Sequence, residues 1–407
     1  RFSDMTVSTS TCWISRASIF TGLYMRTHRY RTAGPLAAKW SSSSYPALLR
    51  QAGYRTAYVG KNHVNFEPGE LKKMFDTHIF LRRHPYFKKQ SDGSLRHLSE
   101  ITGDHAIAFL SEQDAAQPFC LSVSFNASHA EDGDRKNHYP YPKAVGELYR
   151  DQAMPLPKLG DPAIFKQLPA FLQQSIHRER FKWRWDTPEK YQHNMRNYLR
   201  MISGIDHVIG RVLRHLEEQE LAENTIIIYS ADNGYYAGNR GFAGKWTHFE
   251  ESLKVPLIIH DPRLPGSRDR VDPARVMNID LAATMLDYAG VEPPGHYTGQ
   301  SLKPFVDGTP PATWRSDSLH EFFNDRTTIP NWEGIRNQRY VYARYVDDRH
   351  EFLHDLERDP DQLRNYADNP EYEAILRAMR TRCDALTSQH GEKIHVTPRK
   401  KTRKAKK

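Results

Sequence analysis

The chain has no run of about 20 apolar residues, so no segment is suited to crossing a bilayer as a transmembrane helix. It has three cysteines, Cys12, Cys120 and Cys383, an odd and sparse set that excludes a disulfide framework. It has no internal repeats, which argues against a solenoid. Away from the C-terminus it also has little net charge. Of the formal +9, the stretch 391–407 supplies +7 with 8 Lys/Arg and 1 Glu, leaving +2 for everything else. The basic pI therefore belongs to the tail, which reads as disordered, and gives no ground for a nucleic-acid-binding face on the folded body. The tail itself suits solubility, or contact with an anionic polymer or membrane surface.

What the chain does have is a set of apolar, β-type runs that end in polar turns. Arg55 to Val59 leads into Gly60-Lys61-Asn62-His63. Phe119 to Phe125 leads into Asn126-Ala127-Ser128-His129. Thr225 to Ser230 leads into Ala231-Asp232-Asn233-Gly234, and Val255 to Ile259 into His260-Asp261-Pro262. Helical spacing predicts helices over 44–51, 101–113, 188–219 and 279–289. Continuous apolar strands alternating with helices predict an α/β fold with a mostly parallel central sheet flanked by helices. In such sheets the ligand site forms beyond the carboxyl ends of the strands. Three of the four turns carry what a charged substrate or a metal needs: Lys61 and His63, His129, and Asp232 with Asn233.

The pattern loosens between Tyr139 and Pro188, which reads as an excursion over the site. Its Phe181-Lys182-Trp183-Arg184-Trp185 run suits stacking on sugar rings or ordinary packing. Beyond about Thr309, the alternating runs Tyr340 to Tyr345 and Glu351 to His354 predict a small antiparallel sheet, with a helix over 371–388. The expected organisation is a catalytic domain over 1–309, a C-terminal α+β subdomain over 310–390, and the tail.

Four segments carry chemistry. Cys12-Trp13-Ile14-Ser15-Arg16, running on to Thr21-Gly22, sets a cysteine at a helix start, where free N–H groups and the positive end of the dipole suit an anion. Gly53 to His63 offers a lysine and a histidine after a strand, and Asn126 to His129 a second histidine. Ser230 to Gly234, followed by Gly244-Lys245 and Glu250-Glu251-Ser252-Leu253-Lys254-Val255-Pro256, offers hard oxygen ligands and another lysine. Singly, each has a plain reading as a buried cysteine, a surface loop or a common turn.

Together they resemble the type I (formylglycine-dependent) sulfatases of the alkaline phosphatase superfamily. Two weaker stretches, 276–302 and 352–367, extend the resemblance. It implies that a formylglycine-generating enzyme oxidises Cys12 to formylglycine, whose aldehyde hydrate supplies the nucleophile that attacks sulfur. It implies that Arg16, Lys61 and Lys245 offset charge on the sulfate, and that His63 and His129 move protons. Asp232, Asn233 and the modified Cys12 are implied ligands of Ca²⁺ or Mg²⁺. The implied substrate is a sulfated small molecule or polysaccharide, a sulfated carbohydrate first among them, and the family expectation is a periplasmic or secreted enzyme.

Two departures stand out. Ile14 occupies a position where the family usually has Pro or Ala and which the maturation enzyme reads. The family's opening strand, with its paired metal-binding aspartates, precedes the point that Arg1-Phe2-Ser3-Asp4 matches, so the sequence is expected to be an N-terminally truncated fragment short of metal ligands. The rival readings are a phosphonate or phosphodiester hydrolase of the same superfamily, and an inactive glycan-binding homologue.

Overall fold

The computed structural model describes residues 1–31, 34–114, 116–267, 269–325 and 328–394. Most of the basic tail lies outside the described residues. The first part of the chain holds seven principal strands: β1 (Phe2–Thr6), β2 (Arg55–Gly60), β3 (Thr77–Phe80), β4 (Phe119–Ser124), β5 (Ile227–Ser230), β6 (Leu257–His260) and β7 (Asp272–Met277). Its longer helices are α1 (Cys12–Thr21), α2 (Tyr45–Gln51), α3 (Leu98–Ser111), α4 (Ile176–Arg184), α5 (Pro188–Glu218) and α6 (Asp280–Tyr288).

Strand β2 pairs in parallel with both β3 and β4, and β1 pairs in parallel with β7. The ladder β5-β6-β1-β7 is hydrogen-bonded separately from β3-β2-β4. Strand β6 runs antiparallel to both β5 and β1. The sequence pattern did not foretell this reversal, and its cause lies in the connection. Between β5 and β6 the only helices are a 3₁₀ turn and the single turn Glu250–Leu253. Without a crossover helix the chain returns antiparallel. The turn after β6 therefore faces the edge opposite to the turns after β2, β4 and β5.

Helix α5 presents Met201, Gly204 and Val208 inward, with Gly204 close to Pro142 and Gly103 of α3 close to Val208. Ile202 and Leu213 lie off that stripe and are more exposed. In the 139–188 stretch, Trp185 packs in a core cluster with Tyr139 and Tyr191, while Trp183 is half-buried with Arg135 stacked 3.6 Å above its ring.

The C-terminal part is an antiparallel meander of β8 (Ser318–Phe322), β9 (Trp332–Arg336), β10 (Tyr340–Tyr345) and β11 (His350–Asp355), with α7 (Glu373–Gln389) after it. One core cluster runs through both sheets, joining Met5, Phe249 and Val276 to Phe322, Trp332 and Phe352. Asp4, which has no acidic neighbour in sequence, is ion-paired to Arg275 at 3.0 Å and to Arg336 of β9 at 2.5 Å.

Candidate active site

Helix α1 begins at Cys12 and stops at Gly22, whose left-handed φ of 65° lets its N–H reach the Ser18 carbonyl. A Cβ there would lie 2.6 Å from the Tyr297 ring. Cys12, only 3% exposed, sits at the helix N-terminus, and its Sγ is 3.5 Å from Nδ1 of His63. Burial pushes its thiol up. Lys61, Lys245 and the contact with His63 outweigh that and bring it down to about 5. At Cys120 and Cys383 burial wins, at Cys383 even against Arg344, and both thiols are pushed up to about 12.

Arg16 lies one turn along α1, on the same side as Cys12. Its Nε donates to Asp232 Oδ2 at 2.8 Å, and its Nη1 donates to Tyr58 Oη at 2.9 Å, the Lys61 carbonyl at 2.7 Å and Ser124 Oγ. One guanidinium thus ties together α1 and the ends of β2, β4 and β5. Gly60, closing β2, has φ 111°, and a Cβ on it would stand 2.0 Å from the Ser124 carbonyl. Only glycine allows Lys61 to approach so closely and donate its N–H to that carbonyl at 2.8 Å. Lys61, 6% exposed, then reaches Asp232 Oδ2 at 3.3 Å. Despite burial, Lys61, Arg16 and Lys245 hold the Asp232 carboxyl far below the usual carboxylate range.

Asn233 directs its amide nitrogen to the Gly234 carbonyl and leaves Oδ1 buried without a partner. Gly234 is required here, since a Cβ would lie 2.2 Å from the Glu251 carbonyl. The Glu250-Glu251-Ser252 block is a bracket. Glu251 accepts from Arg240, Glu250 from Arg336, and Ser252 Oγ from the Thr247 N–H. Lys245 is 7% exposed, and burial followed by Lys61 and Arg180 lowers its pKa. Its neighbour Trp246 has φ 82°, a strained value for an aromatic residue. The Trp332 indole of β9 donates to the Trp246 carbonyl at 2.8 Å.

His129 follows β4. Tyr86 Oη donates to its carbonyl at 2.7 Å, and its ring contacts Arg83 and the Ala130 carbonyl. Burial, Lys245, Arg83 and Lys61 together hold its imidazole well below the ordinary histidine range.

The structure thus brings Cys12, Arg16, Lys61, His63, Asp232 and Lys245 into one cluster of contacts and fields. Asn233 adjoins it, and His129 stands where both lysines act on it. The sequence reading missed four residues. Tyr58 and Ser124 lie in β2 and β4, where they read as strand filler. Arg83 follows β3, a four-residue strand of alternating exposure that shows no apolar run. Arg180 comes from α4, far from any turn after a strand.

Cations converge here on a helix N-terminus beside a thiol and a carboxylate–amide pair, an arrangement chemically suited to an anion. The model of the family described as Sulfatase matches residues 1–291, and the one described as N-sulphoglucosamine sulphohydrolase, C-terminal, matches residues 238–389. The N-acetylglucosamine-6-O-sulfatase of Bacteroides thetaiotaomicron is 29% identical over 88% of this chain and 74% of its own length. The choline-sulfatase of Rhizobium meliloti is 29% identical over 91% and 76%. The structure of BT4656 in complex with its substrate D-glucosamine-2-N,6-O-disulfate superposes with a TM-score of 0.77 at 25% identity, covering 96% of this chain and 90% of that one. A phosphonate monoester hydrolase of Silicibacter pomeroyi shares the fold, with a TM-score of 0.79 at 24% identity over 96% and 88%. With its family model spanning well over half of its length, this chain belongs to the sulfatases, the family of sulfuric ester hydrolases.

Proposed function

We propose that this sulfatase cleaves a sulfate ester of a sulfated carbohydrate, with Cys12, converted to formylglycine, as the nucleophilic position. The observation that carries the reading is the Cys12 side chain at the start of α1, 3.5 Å from His63 and ringed by Lys61, Lys245 and Arg16. Formylglycine would supply an oxygen nucleophile at that point. Lys61 and Lys245 meet the sulfonyl oxygens and offset the negative charge they carry as the nucleophile approaches sulfur. Arg16 fixes Asp232 and the Lys61 backbone. His63 handles the proton at position 12, and His129, kept neutral by its surroundings, stands on the leaving-alcohol side.

The oxygens of Asp232 and Asn233 fit a hard divalent cation in kind, and the bare Oδ1 of Asn233 is what such an ion would satisfy. Ca²⁺ or Mg²⁺ there would add positive charge for the sulfate. Among the described residues, no group of three or more His, Cys, Asp or Glu side chains is arranged to hold a metal.

Ile14 has a structural role in this chain. It is fully buried against Met25, Phe323 and Ile394 under α1. The test is mass spectrometry of the tryptic peptide 2–16 from the native host, combined with sulfate release from N-acetylglucosamine 6-sulfate, choline sulfate and a phosphonate monoester. An aldehyde at position 12 with release from the sugar sulfate supports the reading. An intact thiol without turnover, or cleavage of the phosphonate alone, defeats it.

A further inference from the structure

The cations around the site outnumber what one sulfate requires, and two of them are poorly matched by carboxylates. Helix α4 carries both Arg180 and Arg184 to Asp132. Arg184, 1% exposed, contacts that carboxylate closely, whereas Arg180 reaches it only at 3.4 Å and keeps 20% exposure. The nearness of Tyr235, Tyr139 and Asp132 outweighs burial at Arg184 and raises its pKa. At Arg180 burial and the neighbouring Arg184 and Arg83 outweigh Asp132, and its pKa falls. The positive charge on Arg180 is therefore undercompensated. Its guanidinium lies 5.1 Å from the centre of the Trp246 ring, and the Lys245 ammonium lies 5.9 Å from the same centre. The two charges can thus be no farther apart than those two distances laid end to end. Arg83, near enough to act on the charge of Arg180, contacts the His129 and His84 rings, and among the described residues it has no carboxylate partner. The Nε atoms of Arg83 and Arg180 are both buried and unbonded.

We infer that Arg180, with Arg83 nearby, forms a second anion subsite beside the sulfate-binding lysines, so that the preferred substrate carries a second sulfate or a carboxylate within one sugar unit of the scissile ester. The inference rests on the proposed hydrolase reading and narrows its substrate class. A charge-assisted contact of this kind is worth about 10- to 100-fold in affinity.

The experiment is calorimetric titration of protein carrying Cys12→Ala, which removes turnover, with Arg180 intact or changed to Gln or Lys. The probes are N-acetylglucosamine 6-sulfate, glucosamine 2-N,6-O-disulfate and a 6-sulfated disaccharide whose second charge is a uronate. With Arg180 intact, at least one doubly charged probe should bind about 10-fold or more tighter than the monosulfate, and which of them gains identifies sulfate or carboxylate as the second group. Arg180→Gln should erase that gain, weakening the doubly charged probe at least 10-fold more than the monosulfate, and Arg180→Lys should restore part of it. Equal affinity for singly and doubly charged probes, or equal weakening of all probes by Arg180→Gln, overturns the inference. If the converted enzyme releases no sulfate yet the second-charge preference persists, the hydrolase reading fails and the subsite stands.

Discussion

Asp232 is the charge against which the site is assembled, so Asp232→Asn tests the assembly directly. The substitution keeps shape and removes one negative charge that faces Arg16 at 2.8 Å and Lys61 at 3.3 Å. All three side chains are largely buried, with exposures of 12%, 6% and 17% for Arg16, Lys61 and Asp232. Removing one partner of a buried pair leaves the other charges desolvated and costs about 3–5 kcal/mol. At roughly 2.1 cal/mol/K per residue, a chain of 407 residues has an unfolding entropy that converts this loss into a melting-temperature drop of about 4–6 °C. Melts should be recorded with a chelator present, so that a lost cation does not contribute. Arg16→Met removes the opposing guanidinium, and the double variant should recover about 1–3 kcal/mol relative to the sum of the two single changes. A melting temperature for Asp232→Asn within 1 °C of the parent, or strict additivity in the cycle, would refute the view that these charges hold one another in place.

Other expectations follow from the same geometry. Lys245→Ala should lower kcat/KM for a sulfate ester about 10²–10³-fold with the fold intact by circular dichroism, and a loss under threefold would remove Lys245 from the charge-stabilising set. His28, His177, His320 and His354 are buried and held neutral, each with its pKa lowered to about 3 by burial. Such groups contribute fully above about pH 6.5 and lose their contribution as pH falls towards 3, so each costs about 2 kcal/mol by pH 5. Thermal melts should drop steeply between pH 6.5 and 5, and a flat profile to pH 4 would contradict this. Gly60→Ala forces a Cβ onto the Ser124 carbonyl at a φ of 111°, and should destabilise by at least about 2 kcal/mol in urea unfolding as well as displacing Lys61. Ile14→Ala empties a fully buried position and should cost about 2–4 kcal/mol by the same assay, whereas a neutral result would show that the pocket collapses freely.

The parts of the site that could be read from the sequence share one physical signature. Cys12, Lys61, His63, His129, Asp232 and Asn233 each follow an apolar run or open a helix, and a parallel sheet gathers such points at one edge. Arg16 and Lys245 were legible because they stand at short, fixed distances from recognisable neighbours. Arg83 was not, because β3 is short and its alternating exposure leaves no continuous apolar run. Arg180 was not, because its approach to Trp246 depends on how a helix outside the sheet folds back, which no local pattern encodes. The reversal of β6 was equally hidden: the composition of a strand fixes its burial, while its direction depends on the connection. The stacking role open to the Phe181 to Trp185 run also divided only in three dimensions, with Trp185 going to the core and Trp183 staying half-buried under Arg135.

The burial of Cys12 also sets a clock. The groups that enclose this side chain come from distant parts of the chain. Asp232 and Lys245 lie more than 200 residues downstream, and Trp332, which fastens the strained backbone beside Lys245, lies farther still. At about 5–20 residues per second of synthesis, roughly 20–60 s pass between the appearance of Cys12 and that of Trp332. During that interval the cysteine is an open peptide segment, and once β9 docks it is 3% exposed. An enzyme that modifies position 12 therefore needs the chain before it has folded, and the speed of folding limits how much of the product it can reach.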